Sequence, residues 1–172
     1  MPENKKYLIV VGLAVIVVAA YFLWFRPNTP FQAPSQSNLS SIKGPGGEPY
    51  SQAFIDSLPS EAKALLVFSK AGGEEKSRLL QYADENASAL RGVEVSNCIP
   101  KPLIVRAKVG GSIAIVNRSE TEVNITFGGT TYKLQPQNGD ALEIKKEHGA
   151  GLLNYLCSSS EGGGMGFILV EK

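Results

Sequence analysis

The feature that most constrains this chain is a change of hydrophobic period near residue 93. From there on, apolar residues recur at every second position, in short runs separated by Gly, Asn and Pro. The alternation is clearest at Val123, Ile125 and Phe127, which are separated by single polar residues. Short alternating runs with turn residues between them are typical of all-β sandwiches and barrels. The sequence therefore predicts a mainly β domain over residues 92–172.

The segment 50–91 has a helical pattern instead. A first helix is predicted to run through Lys70 and to end at Gly72-Gly73, since glycine commonly follows a helix. Glu74 and Glu75 open a second helix, where negative charge suits the positive end of the helix dipole. We interpret these as two short helices that pack against the β domain. A partner-binding stalk is the alternative, although neither apolar stripe is long enough for a coiled coil.

Residues 7–25 form an uncharged, apolar run. A membrane-spanning helix needs about 20 such residues, whereas the apolar part of a cleaved signal is shorter and ends in small residues. This run ends in bulky aromatics, so an uncleaved anchor is predicted. Lys5 and Lys6 precede it and Arg26 alone follows, which favours a cytoplasmic N-terminus at residues 1–6.

Residues 26–49 are rich in Pro, Ser and Gly. Such a composition is predicted to form an extended or flexible linker that buries no core. The resulting expectation is a single-pass protein of the cell membrane, held in the membrane by its N-terminal helix. Its C-terminal domain lies outside the cytoplasm.

Charge and residue usage argue against two function classes. Lys and Arg number 17 and Asp and Glu number 16, so no basic surface for nucleic acid is expected. The serines at 158–160 have no histidine base beside them in the sequence, and His148 is the chain's one histidine. We therefore expect no enzymatic activity.

Four stretches then resemble a known family when taken in order. Cys98-Ile99-Pro100 precedes a strand. A glycine turn leads into a strand that ends at Asn117, and Gly151 to Cys157 resembles a strand that delivers a cysteine. Met165-Gly166 and a closing strand follow. Together these resemble the cupredoxins, which implies a Greek-key β-sandwich of cupredoxin type behind the anchor, the linker and the two helices.

The resemblance also implies where copper ligands would lie. A blue-copper site takes two imidazoles, one thiolate and a weak axial thioether. Cys157 and Met165 match ligand positions, but Ser160 stands where one histidine is expected. The other histidine position falls at Val123 or Asn124, and Asn124, the polar one, is the expected equivalent. No cofactor is therefore expected.

The remaining histidine is not expected to replace them. His148 lies before the strand that delivers Cys157, and the five steps from Leu152 to Cys157 span about 17 Å. It is predicted to be an exposed turn residue at the opposite end of the sandwich.

The two cysteines leave two interpretations open. By resemblance, Cys98 should lie close to Cys157, and neighbouring cysteines in an oxidising compartment usually form a disulfide. The alternative is that both stay reduced. Cys98, Cys157 and Met165 would then form a sulfur site suited to Cu(I).

The favoured hypothesis is thus a membrane-anchored, metal-free accessory or interaction module, with another membrane or exported protein as its partner. The alternative is an atypical copper protein, for Cu(I) binding or electron transfer, that uses Cys157 and Met165. A third hypothesis is a degenerate relative of subunit II of haem–copper oxidases, which also carries a cupredoxin domain on a membrane anchor.

Overall fold

The computed structural model describes residues 49–172 together with Leu39 and Ile42. Within that part, the chain begins with a helical layer and continues as a sandwich of nine strands. The helices are α1 (Gln52–Ser57), α2 (Ser60–Leu66), which a 3-10 turn at Val67–Ser69 extends, and α3 (Gly73–Asn86).

The helical segment thus contains three α-helices where two were predicted. Ser51 caps α1 by accepting a hydrogen bond from the Phe54 backbone N–H at 3.2 Å. Leu58 is extended because a residue before proline avoids helical angles, and α2 starts anew after Pro59. The prediction that Glu74 and Glu75 open a helix is confirmed, since both lie in the first turn of α3.

The strands confirm the predicted β-sandwich. Their bounds are β1 (Gly92–Ser96), β2 (Ile99–Lys101), β3 (Ile104–Lys108), β4 (Ser112–Asn117), β5 (Val123–Phe127), β6 (Thr130–Leu134), β7 (Gly139–Glu143), β8 (Gly151–Ser159) and β9 (Gly162–Glu171). They form a first sheet in the order β2-β1-β4-β7 and a second sheet in the order β3-β9-β8-β5-β6.

Both sheets are mixed. β1 runs parallel to β4, and β3 runs parallel to β9, while the other strand pairs are antiparallel. β9 lies inside the second sheet, between β3 and β8, although it follows every other strand in the chain. The chain crosses between the sheets five times, after β2, β3, β4, β6 and β7.

Two apolar clusters hold this arrangement together. The inner cluster fills the space between the sheets and includes Val95, Ile115 and Ile125. The outer cluster lies between the helices and the outer face of the second sheet, where Ile55 and Leu79 pack with residues of β8 and β9. Because successive residues of a strand point to opposite faces, β8 and β9 contribute alternate residues to both clusters. The helices and the sandwich belong to one compact unit.

The outer cluster corrects one expectation about residues 26–49. Leu39 and Ile42 are buried in this cluster, so these two residues of the predicted linker contribute to a core. They are two of the few apolar residues in a polar, Pro-rich stretch. The predicted membrane span at 7–25 lies outside the described residues. Among the helices that the structure describes, none is long and apolar enough to cross a membrane.

Candidate metal centre and its disulfide

Cys98 is placed by a tight hairpin between β1 and β2. Ser96 pairs with Ile99, so Asn97 and Cys98 form a two-residue turn. Their φ angles are +50° and +58°, as the favoured hairpin turn requires at both positions. An L-residue other than glycine, asparagine or aspartate adopts such angles at some cost, so the surrounding structure must hold Cys98 in place.

Cys157 lies opposite, on β8 of the second sheet. It pairs with Ile125 on one side and Gly164 on the other, and its side chain points into the inner cluster. The two cysteines form a disulfide with a Cα–Cα distance of 5.3 Å, which confirms the predicted bond. They are only 1% and 2% exposed. The bond cross-links the two sheets and occupies both cysteines of the chain. We call this part of the sandwich the disulfide end.

The structure corrects the position assigned to the first histidine. On β5, Val123 and Ile125 point into the inner cluster, while Asn124 between them points to the other face of the sheet. Val123 lies two residues from Ile125, the partner of Cys157, and is fully buried. The position on the cysteine's side of the sheet is therefore apolar Val123, and Asn124 was the wrong choice.

Met165 is not beside Cys157 either. It pairs with Leu156, and its side chain belongs to the outer cluster under the helices. Cys157 belongs to the inner cluster, so the two sulfur atoms lie on opposite faces of the second sheet. The structure therefore does not bring Cys98, Cys157 and Met165 together as the alternative Cu(I) site would require. Two of its sulfurs are bonded to each other, and the third faces away.

Ser160 lies at the tip of a hairpin and not in a ligand loop. β8 and β9 stay paired to Ser159 and Gly162, which leaves only Ser160 and Glu161 as the turn. The Ser159 hydroxyl donates to the Gly162 carbonyl at 3.2 Å and accepts from the Glu161 N–H at 3.2 Å. Ser160 is exposed there, so the position cannot deliver a side chain toward Cys157.

Glycines explain how this hairpin fits so closely. A Cβ on Gly164 would overlap the carbonyl oxygen of Cys98, and a Cβ on Gly166 would overlap the ring of Tyr155. On the other face, a Cβ on Gly163 would lie 3.0 Å from the Phe54 ring of α1. The glycines at 163, 164 and 166 therefore belong to a strand that is packed tightly on both faces. Its alternation of glycine with larger residues after 164 was the signal for this.

Asn117, the residue that ends β4, is a structural member of the same region. It is fully buried, and its Nδ2 donates to the carbonyls of Thr121 at 2.8 Å and Leu134 at 3.0 Å. Its Oδ1 accepts from the Ser119 N–H at 2.8 Å. The side chain thus fixes the loop that leads into Val123, and its polar atoms are fully used by the fold.

Tyr155 carries a polar atom that the fold does not use. Its ring lies in the inner cluster over Gly166, and its hydroxyl is buried without a hydrogen-bond partner. Burial raises the pKa of this hydroxyl well above its ordinary value, so it stays protonated. The Oδ1 of Asn124 is also buried without a partner, but on the opposite face of the sheet.

His148 lies away from the disulfide, as expected from its place before β8. It ends a 3-10 turn (Lys146–His148), and its ring contacts the Phe127 ring edge-on at 5.0 Å between centroids. The expectation of an exposed side chain is wrong, because the ring is half-buried against Phe127 and Gly128.

The donor set at the disulfide end does not fit a copper ion. The cysteine sulfurs are bonded to each other, the nearest ligand position on β5 is a valine, and the methionine faces the helices. A type 1 site needs a thiolate and two imidazoles. Elsewhere in the described part of the chain, no group of three or more His, Cys, Asp or Glu side chains is arranged to hold a metal ion.

Solved structures that are similar to this chain include amicyanins and a purple cupredoxin. An oxidised amicyanin variant is 21% identical, with a TM-score of 0.38 over 52% of this chain and 89% of its own. A reduced amicyanin variant gives 21% identity and a TM-score of 0.39 over the same shares, 52% and 89%. A purple cupredoxin from Nitrosopumilus maritimus is 16% identical, with a TM-score of 0.36 over 46% of this chain and 98% of its own.

No protein-family model and no curated protein matches the sequence. The likeness to cupredoxins is therefore one of fold, and no ligand is carried over from it. The strand order and the two mixed sheets described above make the domain a cupredoxin-like β-sandwich.

Proposed function

We propose that this protein is a membrane-anchored, extracytoplasmic cupredoxin-like module that functions without metal. In this proposal it is an accessory or interaction domain and not an enzyme. The observation that carries the proposal is the Cys98–Cys157 bond, which occupies the one thiolate that a copper site would need. The apolar Val123 and the outward-facing Met165 support it, because they are not placed as ligands.

The same bond supports a location outside the cytoplasm. Disulfides form and persist in oxidising compartments and are rare in the cytosol. Both cysteines are buried between the sheets, where the bond is part of the core. Together with the apolar run at 7–25 and the preceding lysines, this favours an anchor at the N-terminus and an exported body.

Copper addition tests the metal-free part of the proposal. Full-length protein given Cu(II) should stay colourless and gain no thermal stability. A ligand bound specifically to the folded state would add about 2.7 kcal/mol at a hundredfold excess over its Kd. The reduced protein is the matched control, and it should also fail to bind Cu(I) stoichiometrically, because Met165 faces the helices. A blue centre in the unmodified protein would overturn the proposal.

Limited proteolysis tests the topology. Protease added to intact cells should cut the chain between the predicted anchor and the folded domain. This cleavage should release a fragment that contains residues 49–172. Opening the cells should be unnecessary for this cleavage. Full protection of the domain in intact cells would contradict an extracytoplasmic location.

The outer face of the first sheet is the surface on which we propose a partner docks. Ala114 and Ala141 pair there and are both exposed, and no described helix covers them. A photo-cross-linking amino acid at Ala114 should yield an adduct with another membrane or exported protein in native membranes. The same amino acid at exposed Thr130, on the second sheet, is the control and should yield none. Absence of the Ala114 adduct would argue against the interaction role.

A further inference from the structure

A groove lies at the end of the sandwich away from the disulfide, which we call the groove end. It opens between the helical layer and the second sheet, beside the β5–β6 turn, and has a volume of about 350 Å³. Small-molecule sites in proteins commonly occupy about 300–1,000 Å³ and combine apolar walls with a few polar groups. The volume is thus sufficient for a small organic molecule.

The side chains that line the groove disfavour a charged ligand. Phe68 and Leu66 line the helical side, while Phe127, Leu152 and Phe167 line the sheet side. Among the residues of the described part of the chain that line the groove, there is no Asp, Glu, Lys or Arg. A charged ligand would lose hydration there without gaining an opposite charge. The walls therefore suit an uncharged molecule with an aromatic or alicyclic body.

His148 supplies the first polar group. Its Nδ1 accepts a hydrogen bond from the Lys145 N–H at 3.1 Å, so the neutral ring carries its proton on Nε2. Nε2 points toward Gly128, where a Cβ would lie only 2.6 Å away. A side chain at residue 128 would clash with the ring, so only glycine, here with φ at +55°, fits beside Nε2. His148 and Gly128 both line the groove, and Nε2 is the ring nitrogen that the Lys145 contact leaves unused.

Tyr50 supplies a second donor. Its ring stacks on Phe54 at 5.2 Å between centroids, and its hydroxyl accepts a 3.4 Å hydrogen bond from Nδ2 of Asn154, another lining residue. The hydroxyl's own hydrogen remains available. Burial raises the pKa of Tyr50 above its ordinary value, so the hydroxyl stays protonated at neutral pH.

We propose that this groove binds an uncharged cyclic molecule of one or two rings that carries a carbonyl oxygen. The rings lie between the aromatic walls, and the carbonyl accepts from His148 Nε2–H and from the Tyr50 hydroxyl. Neither residue is used by the disulfide end, and binding does not depend on whether the protein is anchored in a membrane.

Backbone amide NMR of the full-length protein tests the proposal with three probes. Coumarin is a neutral bicyclic carbonyl compound, naphthalene lacks the acceptor, and coumarin-3-carboxylate carries a charge. We expect coumarin to cause saturable shifts at Gly128, Gly129 and Asn154. The other two probes should bind at least three- to tenfold more weakly, as expected for the loss of one or two hydrogen bonds or for an unpaired charge.

Two variants separate hydrogen bonding from shape. His148→Phe keeps a ring against Phe127 but removes the donor, and Tyr50→Phe removes only the hydroxyl. Each should weaken coumarin roughly three- to tenfold and leave naphthalene unchanged. Tyr132→Phe is the matched control, because Tyr132 does not line the groove, and it should have no effect. If His148→Phe does not fold, Tyr50→Phe alone decides the outcome.

Three results would overturn the proposal. One is the absence of saturable shifts at the β5–β6 turn. Another is equal affinity for coumarin and naphthalene, which would mean that the donors play no part. The third is an equal loss of coumarin binding in Tyr50→Phe and in the Tyr132→Phe control.

Discussion

The two ends of the sandwich differ in how their space is filled. At the disulfide end, a covalent bond joins the sheets, and Gly164 brings the backbone of β9 against the Cys98 carbonyl. At the groove end, the β5–β6 turn at Gly128-Gly129 and the half-buried His148 leave an open groove. The disulfide end, where the resemblance predicts a copper site, is thus closely packed. The groove end, which no sequence motif indicates, has polar side chains along an open groove.

The largest expected loss of stability comes from removing the Cys98–Cys157 disulfide. Cys98→Ala with Cys157→Ala should lower the free energy of unfolding by about 4 kcal/mol, as the chain-entropy model gives for a crosslink of this sequence separation, 59 residues. Urea unfolding of the full-length protein measures it. Reductant should not destabilise the double variant further. A loss below about 1 kcal/mol would mean that the glycine packing alone holds the disulfide end together.

Gly164→Ala should cost about 3 kcal/mol, the upper range for overpacking a core. The added Cβ meets the backbone carbonyl of Cys98, which cannot move because the turn and the disulfide both hold it. Gly92→Ala is the matched control, since its Cβ would meet Ala114 at an ordinary 3.7 Å. Similar stabilities for the two variants would show that the disulfide end is less closed than the structure indicates.

Gly128→Ala at the groove end should cost less, about 1–2 kcal/mol, because of its positive φ. Its Cβ meets the His148 ring, a side chain that can rotate away, rather than backbone. Adding His148→Ala should remove the steric part and leave the cost of the backbone angle. If the loss equals that of Gly164→Ala in urea unfolding, the groove end is as rigid as the disulfide end.

Tyr155→Phe should change the free energy of unfolding least, and it should raise it rather than lower it. Its buried hydroxyl has no partner, so removing it should raise stability by up to about 1 kcal/mol. Tyr132→Phe serves as the control for the same chemical change and should be near neutral. A clear loss of stability in Tyr155→Phe would indicate that a buried water pairs with the hydroxyl.

The sequence predicts the strands well but not the faces of those strands. Alternation identifies β5, because apolar residues repeat at every second position there, whereas β8 is a short, nearly continuous apolar run. Choosing between Val123 and Asn124, however, depends on register, and a shift of one residue moves a side chain to the other face. Polarity favoured Asn124, whereas the residue that points to the cysteine's side of the sheet is the apolar core residue Val123.

Met165 and the buried residues of the linker show two further limits. The sequence shows glycines around Met165, but only the structure shows that they allow close packing against Cys98 and Tyr155. Leu39 and Ile42 are isolated in a polar segment, so no period marks them as core. Their burial depends on a surface built by β8, β9 and the helices, far away in sequence.

The position of β9 has a consequence for how the protein is made. This strand lies between β3 and β8, yet the ribosome synthesises it after all of its partners. Until it emerges, β3 has no neighbour in its own sheet, and the outer cluster lacks Met165, Phe167 and Leu169. Unpaired edges and exposed apolar surface make such partial chains prone to aggregation. We therefore expect the nascent domain to be prone to aggregation until β9 is inserted, and we expect the long-range parallel pairing of β3 with β9 to slow that step.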